Sequence, residues 1–162
     1  MQRADPATFR MAASRFATGV TVITALDRDG QIRGMTANSF VTVSLSPPTV
    51  LILLVPGRTQ AAISTSRRYA VNVLPESAAA LSVHFAGRPD PDLHPAYELK
   101  DGLPRLAGCL AFFACDVVRE IGFNDHMMFV AEVSMCDHGD SAPLVFFCSR
   151  YHPGPDKRSS NG

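Results

Sequence analysis

The sequence predicts a mainly β domain of the α+β class, an antiparallel barrel with a few short flanking helices. Three observations predict it. About seven strand-length stretches rich in β-branched and aromatic residues outnumber three short helical ones, with no regular strand–helix alternation. No Gly-x-Gly-x-x-Gly follows a strand, so any dinucleotide is held by something other than a Rossmann turn. The chain has 162 residues, 46% of them hydrophobic, the size of one domain that buries about 70% of the surface its unfolded chain exposes.

The elements follow in order. Asp5 caps a first helix, Pro6 suits its first turn, Phe9, Ala12, Ala13 and Phe16 share one face, and Gly19 stops it. Residues 20–25 form a strand, closed by a turn at Asp27-Arg28-Asp29-Gly30. Residues 35–45 form the next, and Ser46-Pro47-Pro48 breaks it because neither proline can donate to a ladder. Residues 49–55 are a buried strand without a polar face. Residues 58–66 form a short helix with Ala62 and Ile63 turned inward, and residues 69–74 another strand. Pro75 starts a second compact helix in which Leu81 and Phe85 sit one turn apart, and Gly87 closes it. Residues 88–105, with four prolines, are a long excursion of the kind that is functional or mobile. Residues 106–120 and 126–136 are two long strands joined at Gly122-Phe123-Asn124-Asp125. Residues 144–151 form the last strand. One domain, residues 1–152, is expected, with a disordered polar tail over residues 153–162.

Composition excludes several classes. Fifteen basic and fifteen acidic residues cancel, and the one local basic cluster, Arg67-Arg68, reads as a solvated helix end, so no nucleic-acid partner is expected. No apolar run reaches membrane-span length, and the polar opening lacks a signal-peptide core, so a cytoplasmic protein without a membrane partner is expected. Cys109, Cys115, Cys136 and Cys148 form no Cys-x-x-Cys and read as buried free thiols. Cys136 and His138 alone make a poor ligand pair, and no metal is expected.

The segment Gly34-Met35-Thr36-Ala37-Asn38-Ser39-Phe40 is unusual for a strand. Short polar side chains with their backbone N–H groups can read the edge of a planar heterocycle or hold a phosphate. Taken alone, a polar strand entry explains them more simply. The order of blocks along the chain adds to this: RFATGVTVITA, GMTANSFVTVSLSPPTVLI, YAVNVL, HFAGR, NDHMMFVAEV and PLVFFCSRYHPG. Over residues 9–152 this order resembles the flavin-reductase-like family, the reductase components of two-component flavin-dependent monooxygenases.

The resemblance implies an antiparallel Greek-key split β-barrel, a homodimer, and FMN or FAD in a groove near the subunit interface, with NADH or NADPH as hydride donor. It implies a partner monooxygenase that receives reduced flavin. Carried onto this sequence, Met35, Thr36, Ala37, Asn38 and Ser39 line the isoalloxazine and ribityl chain, and Leu53, Leu54 and Val55 add backbone contacts. Thr59, at a helix start, is placed for phosphate, and Phe85, Ala86 and Arg88 for further phosphate or adenylate contacts. The family's Gly-Asp-His appears as Asn124-Asp125-His126. Asp125 and His126 are then expected at the nicotinamide, with His126 the catalytic candidate and Arg150 and Tyr151 flanking. Asn in place of Gly bears on the turn and keeps a non-turnover flavin carrier in view. An oxidase on a related split barrel would need a basic phosphate cluster, for which Arg67-Arg68 is a poor candidate. His84, His94, His138 and His152 receive no role.

Overall fold

The computed structural model describes residues 3–155. Helix α1 (Pro6–Ala13) starts as expected: the Asp5 carboxylate accepts the Thr8 N–H at 2.9 Å. It ends at Ser14 rather than Gly19, and its apolar face is not packed, since Phe9 and Phe16 are 66% and 78% exposed.

Strands β1 (Thr18–Gly19), β2 (Thr21–Leu26) and β3 (Ile32–Ala37) come next, followed by β4 (Val41–Leu45) and β5 (Pro48–Leu54). The single strand expected over residues 35–45 is therefore two. They part at Asn38–Phe40, where neither the β3 ladder with β2 nor the β4 ladder with β5 continues. Ser46–Pro47 is cis, and Pro48 opens β5, where a missing N–H costs least. In β5, Val50, Ile52 and Leu54 point to the core while the alternate residues are less buried, so the strand is two-faced.

Helix α2 (Arg58–Ser66) buries Thr59, Ala62 and Ile63. After β6 (Arg68–Val73), a 3₁₀ turn (Glu76–Ala78) leads into α3 (Ala79–Phe85), and Gly87 leaves it at φ +85°. The expected excursion over residues 88–105 contains a hairpin, β7 (Tyr97–Lys100) and β8 (Leu103–Leu106), turning at Asp101-Gly102 with both φ positive. Pro104 sits within β8, a two-stranded ribbon that can spare one N–H. Strands β9 (Ala111–Phe123) and β10 (His126–His138) form the long hairpin. The last expected strand is also a hairpin, β11 (Leu144–Phe147) and β12 (Arg150–Pro153), turned by Cys148 and Ser149 at φ 50° and 60°. Without Gly or Asn there, that turn leaves no sequence signal. Pro153 closes β12 and the Gly154 N–H donates to Pro143 O at 2.8 Å; residues 156–162 of the expected tail lie outside the described residues.

Seven antiparallel strands form the main sheet in the order β3-β2-β6-β9-β10-β5-β4. Strands β3 and β4 are opposite edges of it, yet only residues 38–40 separate them in sequence. The sheet must therefore curl until its edges meet, which makes it a barrel split at that link. Ser39 fastens the seam: its hydroxyl donates to Leu53 O at 2.7 Å and accepts the Leu53 N–H at 3.0 Å. A smaller sheet, β1-β11-β12, and the β7-β8 ribbon flank the barrel.

Strands β2 and β6 are buried on both faces, which explains their lack of alternation. Inside the barrel, Ile23, Val50, Ile52, Ile63, Tyr69, Val71 and Phe129 form one core. On the outer face Val22, Ala70, Leu74, Leu106, Phe112 and Leu144 form a second, under α3 and β8. Each large side chain so buried contributes about 1.5–3 kcal/mol.

Three consequences of this packing can be tested. An added Cβ at Gly34 would lie 2.6 Å from Phe85 Cε1, so Gly34→Ala forces the α3 ring off β3. A loss of about 1–3 kcal/mol is expected from urea unfolding. Only Cys109 and Cys115 are buried; Cys136 is exposed and Cys148 half-buried, which corrects the expectation of four buried thiols. A maleimide should label Cys136 and Cys148 in the native protein and all four after unfolding. Burial pushes the Cys115 thiol from 9.0 up to about 12. Its contribution to stability is thus complete below pH 9 and is lost as pH rises from there towards 12, because the unfolded thiol ionises first. A urea midpoint falling above pH 9 checks this.

Candidate active site

The seam of the barrel holds a cavity of about 490 Å³, inside the usual range of roughly 300–1,000 Å³ for small-molecule sites. Met35, Thr36, Ala37, Asn38 and Ser39 line one side, Leu53, Leu54 and Val55 a second, and Phe123, Asn124, Asp125 and His126 a third. Three local features build it: the end of β3 with the link after it, the end of β5, and the β9–β10 turn.

Register explains the third wall. Phe123 and His126 are directly opposite across the two-residue turn, so their side chains leave the same face of the hairpin. Asn124 lies at φ 53°, the left-handed region that Asn enters more readily than most residues. It therefore makes the turn that a glycine would make. Asp125 Oδ1 stands 2.8 Å from His126 Nδ1, and this bond holds the Asp125 carboxyl below the usual carboxylate range. With Nδ1 engaged by the carboxylate, Nε2 is the ring nitrogen left for a ligand.

The polar groups of the first wall are unequally committed. Thr36 Oγ1 donates to Ser82 O at 2.7 Å, and the Ser39 hydroxyl is spent on Leu53. Asn38 has no side-chain hydrogen bond among the described residues, so its amide is free to read a ligand edge. The backbone N–H groups of residues 38–40 lie outside both ladders. Apolar surface on Met35, Ala37, Leu53 and Val55 beside one free amide suits a flat, partly polar ring system such as flavin.

Strand β3 separates this cavity from a second hollow of about 210 Å³, lined by Val20, Thr36, Ala37, Asn38, Ser82, Ala86, Phe146 and Tyr151. There Tyr151 Oη and Ser82 Oγ are 2.7 Å apart, and Phe146 packs on Tyr151 with ring centroids 5.5 Å apart. Asp125 and His126 are thus on one side of Thr36–Asn38, and Tyr151 and Ala86 on the other. Arg150, Arg88, Phe85 and Thr59 line neither space. Phe85 packs on Gly34, and Thr59 is 3% exposed in the first turn of α2. That turn adjoins the main cavity, since a Cβ on Gly57 would be 3.5 Å from Met35 Cε.

Sequence reasoning left Phe123 and Asn124 out of the lining. Phe123 is 63% exposed, a large apolar surface at a cavity mouth. Its position next to the turn that carries His126 was the available signal. Val20, Ser82 and Phe146 carried none, because only the tertiary fold brings them to Tyr151.

Comparison with known proteins gives the family and the fold. The family described as flavin reductase like domain matches residues 13–155. The NADH-dependent flavin reductase StyB of Pseudomonas fluorescens is 39% identical over 155 residues, 93% of this chain and 91% of that protein. The reductase component of a 4-nitrophenol 4-monooxygenase/4-nitrocatechol 2-monooxygenase from Rhodococcus opacus is 36% identical, over 93% of this chain and 82% of that one. Among solved structures, the styrene monooxygenase flavin reductase SMOB from Pseudomonas putida S12 superposes with a TM-score of 0.86 at 41% identity, covering 91% of this chain and 97% of that chain.

Proposed function

The chain belongs to the flavin reductase like family, and from that premise we infer that it oxidises NADH, reduces flavin, and hands the reduced flavin to a separate monooxygenase. The observation that carries this reading is the seam cavity, where a free Asn38 amide and an apolar strip face the His126 turn. Relatives named as NADH-dependent flavin reductases and as a monooxygenase reductase component support donor and partner.

Bound flavin supplies the hydride acceptor. The work of the chain is placement. Met35, Leu53 and Val55 cover apolar ring surface, Asn38 reads the polar edge, and the free N–H groups at the start of α2, around Thr59, take the ribityl phosphate. His126, oriented by Asp125, seats the nicotinamide over the open side of the main cavity, and Phe123 shields that space from water. Phe85 and Ala86 stand with Tyr151 on the other side of β3, and Tyr151, with Arg150 beside it in sequence, serves the remainder of the donor. No acid–base dyad is needed, because orientation within roughly 3–3.5 Å is what such a transfer requires.

We further propose a homodimer. The unpacked α1 face and the edge strand β4, with Val41, Val43 and Leu45 exposed, leave apolar surface of the kind that partners cover. No described helix is long and apolar enough to cross a membrane, and we place the enzyme in the cytoplasm, where NADH is available.

Steady-state loss of absorbance at 340 nm, with NADH or NADPH against FMN or FAD, tests the proposal. Turnover with NADH supports it; flavin binding without turnover would reduce the protein to a carrier.

A further inference from the structure

Beside the main cavity lies a separate hollow of about 350 Å³, lined by Asp27, Arg28, Asp29, Arg33, Arg58, Ala61, Ala62 and Thr65. It is built by the β2–β3 turn, the start of β3 and one side of α2. Arg33 and Met35, two apart on β3, project from the same face, and Arg58 follows Gly57, which lies against Met35. The hollow and the flavin cavity are therefore neighbours on the α2 side of the strand.

Its charges are not balanced by one another. Asp27 is fully used. Its Oδ1 accepts the N–H groups of Asp29 and Gln31 at 3.0 and 2.9 Å, and its Oδ2 takes Arg33 Nε and Nη2 at 2.7 and 2.6 Å. These bonds fix the turn that presents Arg28 and cancel Arg33. Arg28 and Arg58 have no partner among the described residues, and the Asp29 carboxylate is the one opposing charge left. Two unspent guanidinium groups on a concave surface are suited to a phosphate.

We propose that this hollow takes the second phosphate of a flavin dinucleotide, the group that FAD carries and FMN lacks, while the ring occupies the main cavity. The inference rests on the flavin reading above. Arg58 stands nearest the α2 start, and Arg28 reaches the outer phosphate from the opposite wall. The site thereby favours FAD over FMN, and Asp29 limits that preference so that product can leave.

Fluorescence titration of the full chain with riboflavin, FMN and FAD tests this in wild type, Arg28→Ala and Asp29→Asn, with melting temperatures compared to confirm folding. Arg28→Ala should weaken FAD about tenfold, as loss of a charge-assisted contact does, and leave FMN and riboflavin within about twofold on the same reasoning. Asp29→Asn should tighten FAD about two- to threefold by removing the opposing charge. Unchanged FAD affinity in Arg28→Ala, or an equal loss for FMN, would overturn the proposal. So would a higher KM for NADH with flavin affinities unchanged, which would assign the hollow to the donor. If wild type binds no flavin at all, the reductase reading fails; ADP then tests the hollow directly, its binding and loss in Arg28→Ala being expected and an absence of binding overturning the site.

Discussion

Replacing His126 with alanine should lower kcat/KM for NADH by about 10- to 100-fold while flavin affinity moves less than about threefold, a loss of roughly 1.4–2.7 kcal/mol in transition-state binding. The asymmetry follows from where the residue sits. His126 belongs to the hairpin wall, whereas the strip and amide assigned to flavin belong to β3, the seam and β5. His126 is also partly exposed at a turn, so its removal leaves the core intact. Asp125 touches the same ring from the solvent side. Asp125→Asn should therefore cost less than His126→Ala, since an amide at position 125 can still hold the ring through Nδ1. Stopped-flow reduction with saturating flavin separates the terms. Equal losses in flavin and NADH affinity would make the histidine a structural part of the turn.

Asn72→Ala should be the most destabilising single substitution in the outer core, at about 3–5 kcal/mol, a large part of the roughly 5–15 kcal/mol that holds a domain together. Asn72 is completely buried on β6. Its amide donates to Val22 O at 3.1 Å and Thr24 Oγ1 at 3.0 Å, and its carbonyl accepts the Leu106 N–H at 2.8 Å. Thr24 in turn donates to Pro104 O at 2.6 Å. These bonds fasten the β7–β8 ribbon to the barrel, so alanine strands several buried polar groups at once. Thr24→Val removes one link of the chain and should cost less. Urea unfolding of the three proteins gives the ranking, and a loss below about 1 kcal/mol for Asn72→Ala would mean that water replaces the amide.

Much of this fold was legible in the sequence where local chemistry and tertiary need agree. Asp5 capping α1, the α2 span with Ala62 and Ile63 inward, and the β9–β10 hairpin follow from caps, periodicity and turn residues. Three elements were not legible for physical reasons. The break at Asn38–Phe40 is imposed by closure of the barrel, which no local propensity encodes. The β7–β8 ribbon hides among prolines because it is anchored by Asn72 and Thr24, distant in sequence. The β11–β12 turn uses Cys148 and Ser149 in left-handed conformations that those residues do not advertise.

At the site, the residues carried over by family resemblance divide as the barrel divides them. Met35 to Ser39, Leu53 to Val55, Asp125 and His126 meet in one cavity, while Tyr151 and Ala86 lie behind β3. A linear motif cannot say which face of a strand its residues serve. That decision belongs to α2 and α3, which pack on opposite faces of β3.

The most direct test of the central claim is a crystal structure of the protein with flavin bound. The isoalloxazine ring is expected in the seam cavity, between Met35–Ser39 and Leu53–Val55, with the Asn38 amide at its polar edge and His126 facing its open side. A ring seated instead in the hollow of Ser82, Phe146 and Tyr151 would contradict the assignment of both spaces.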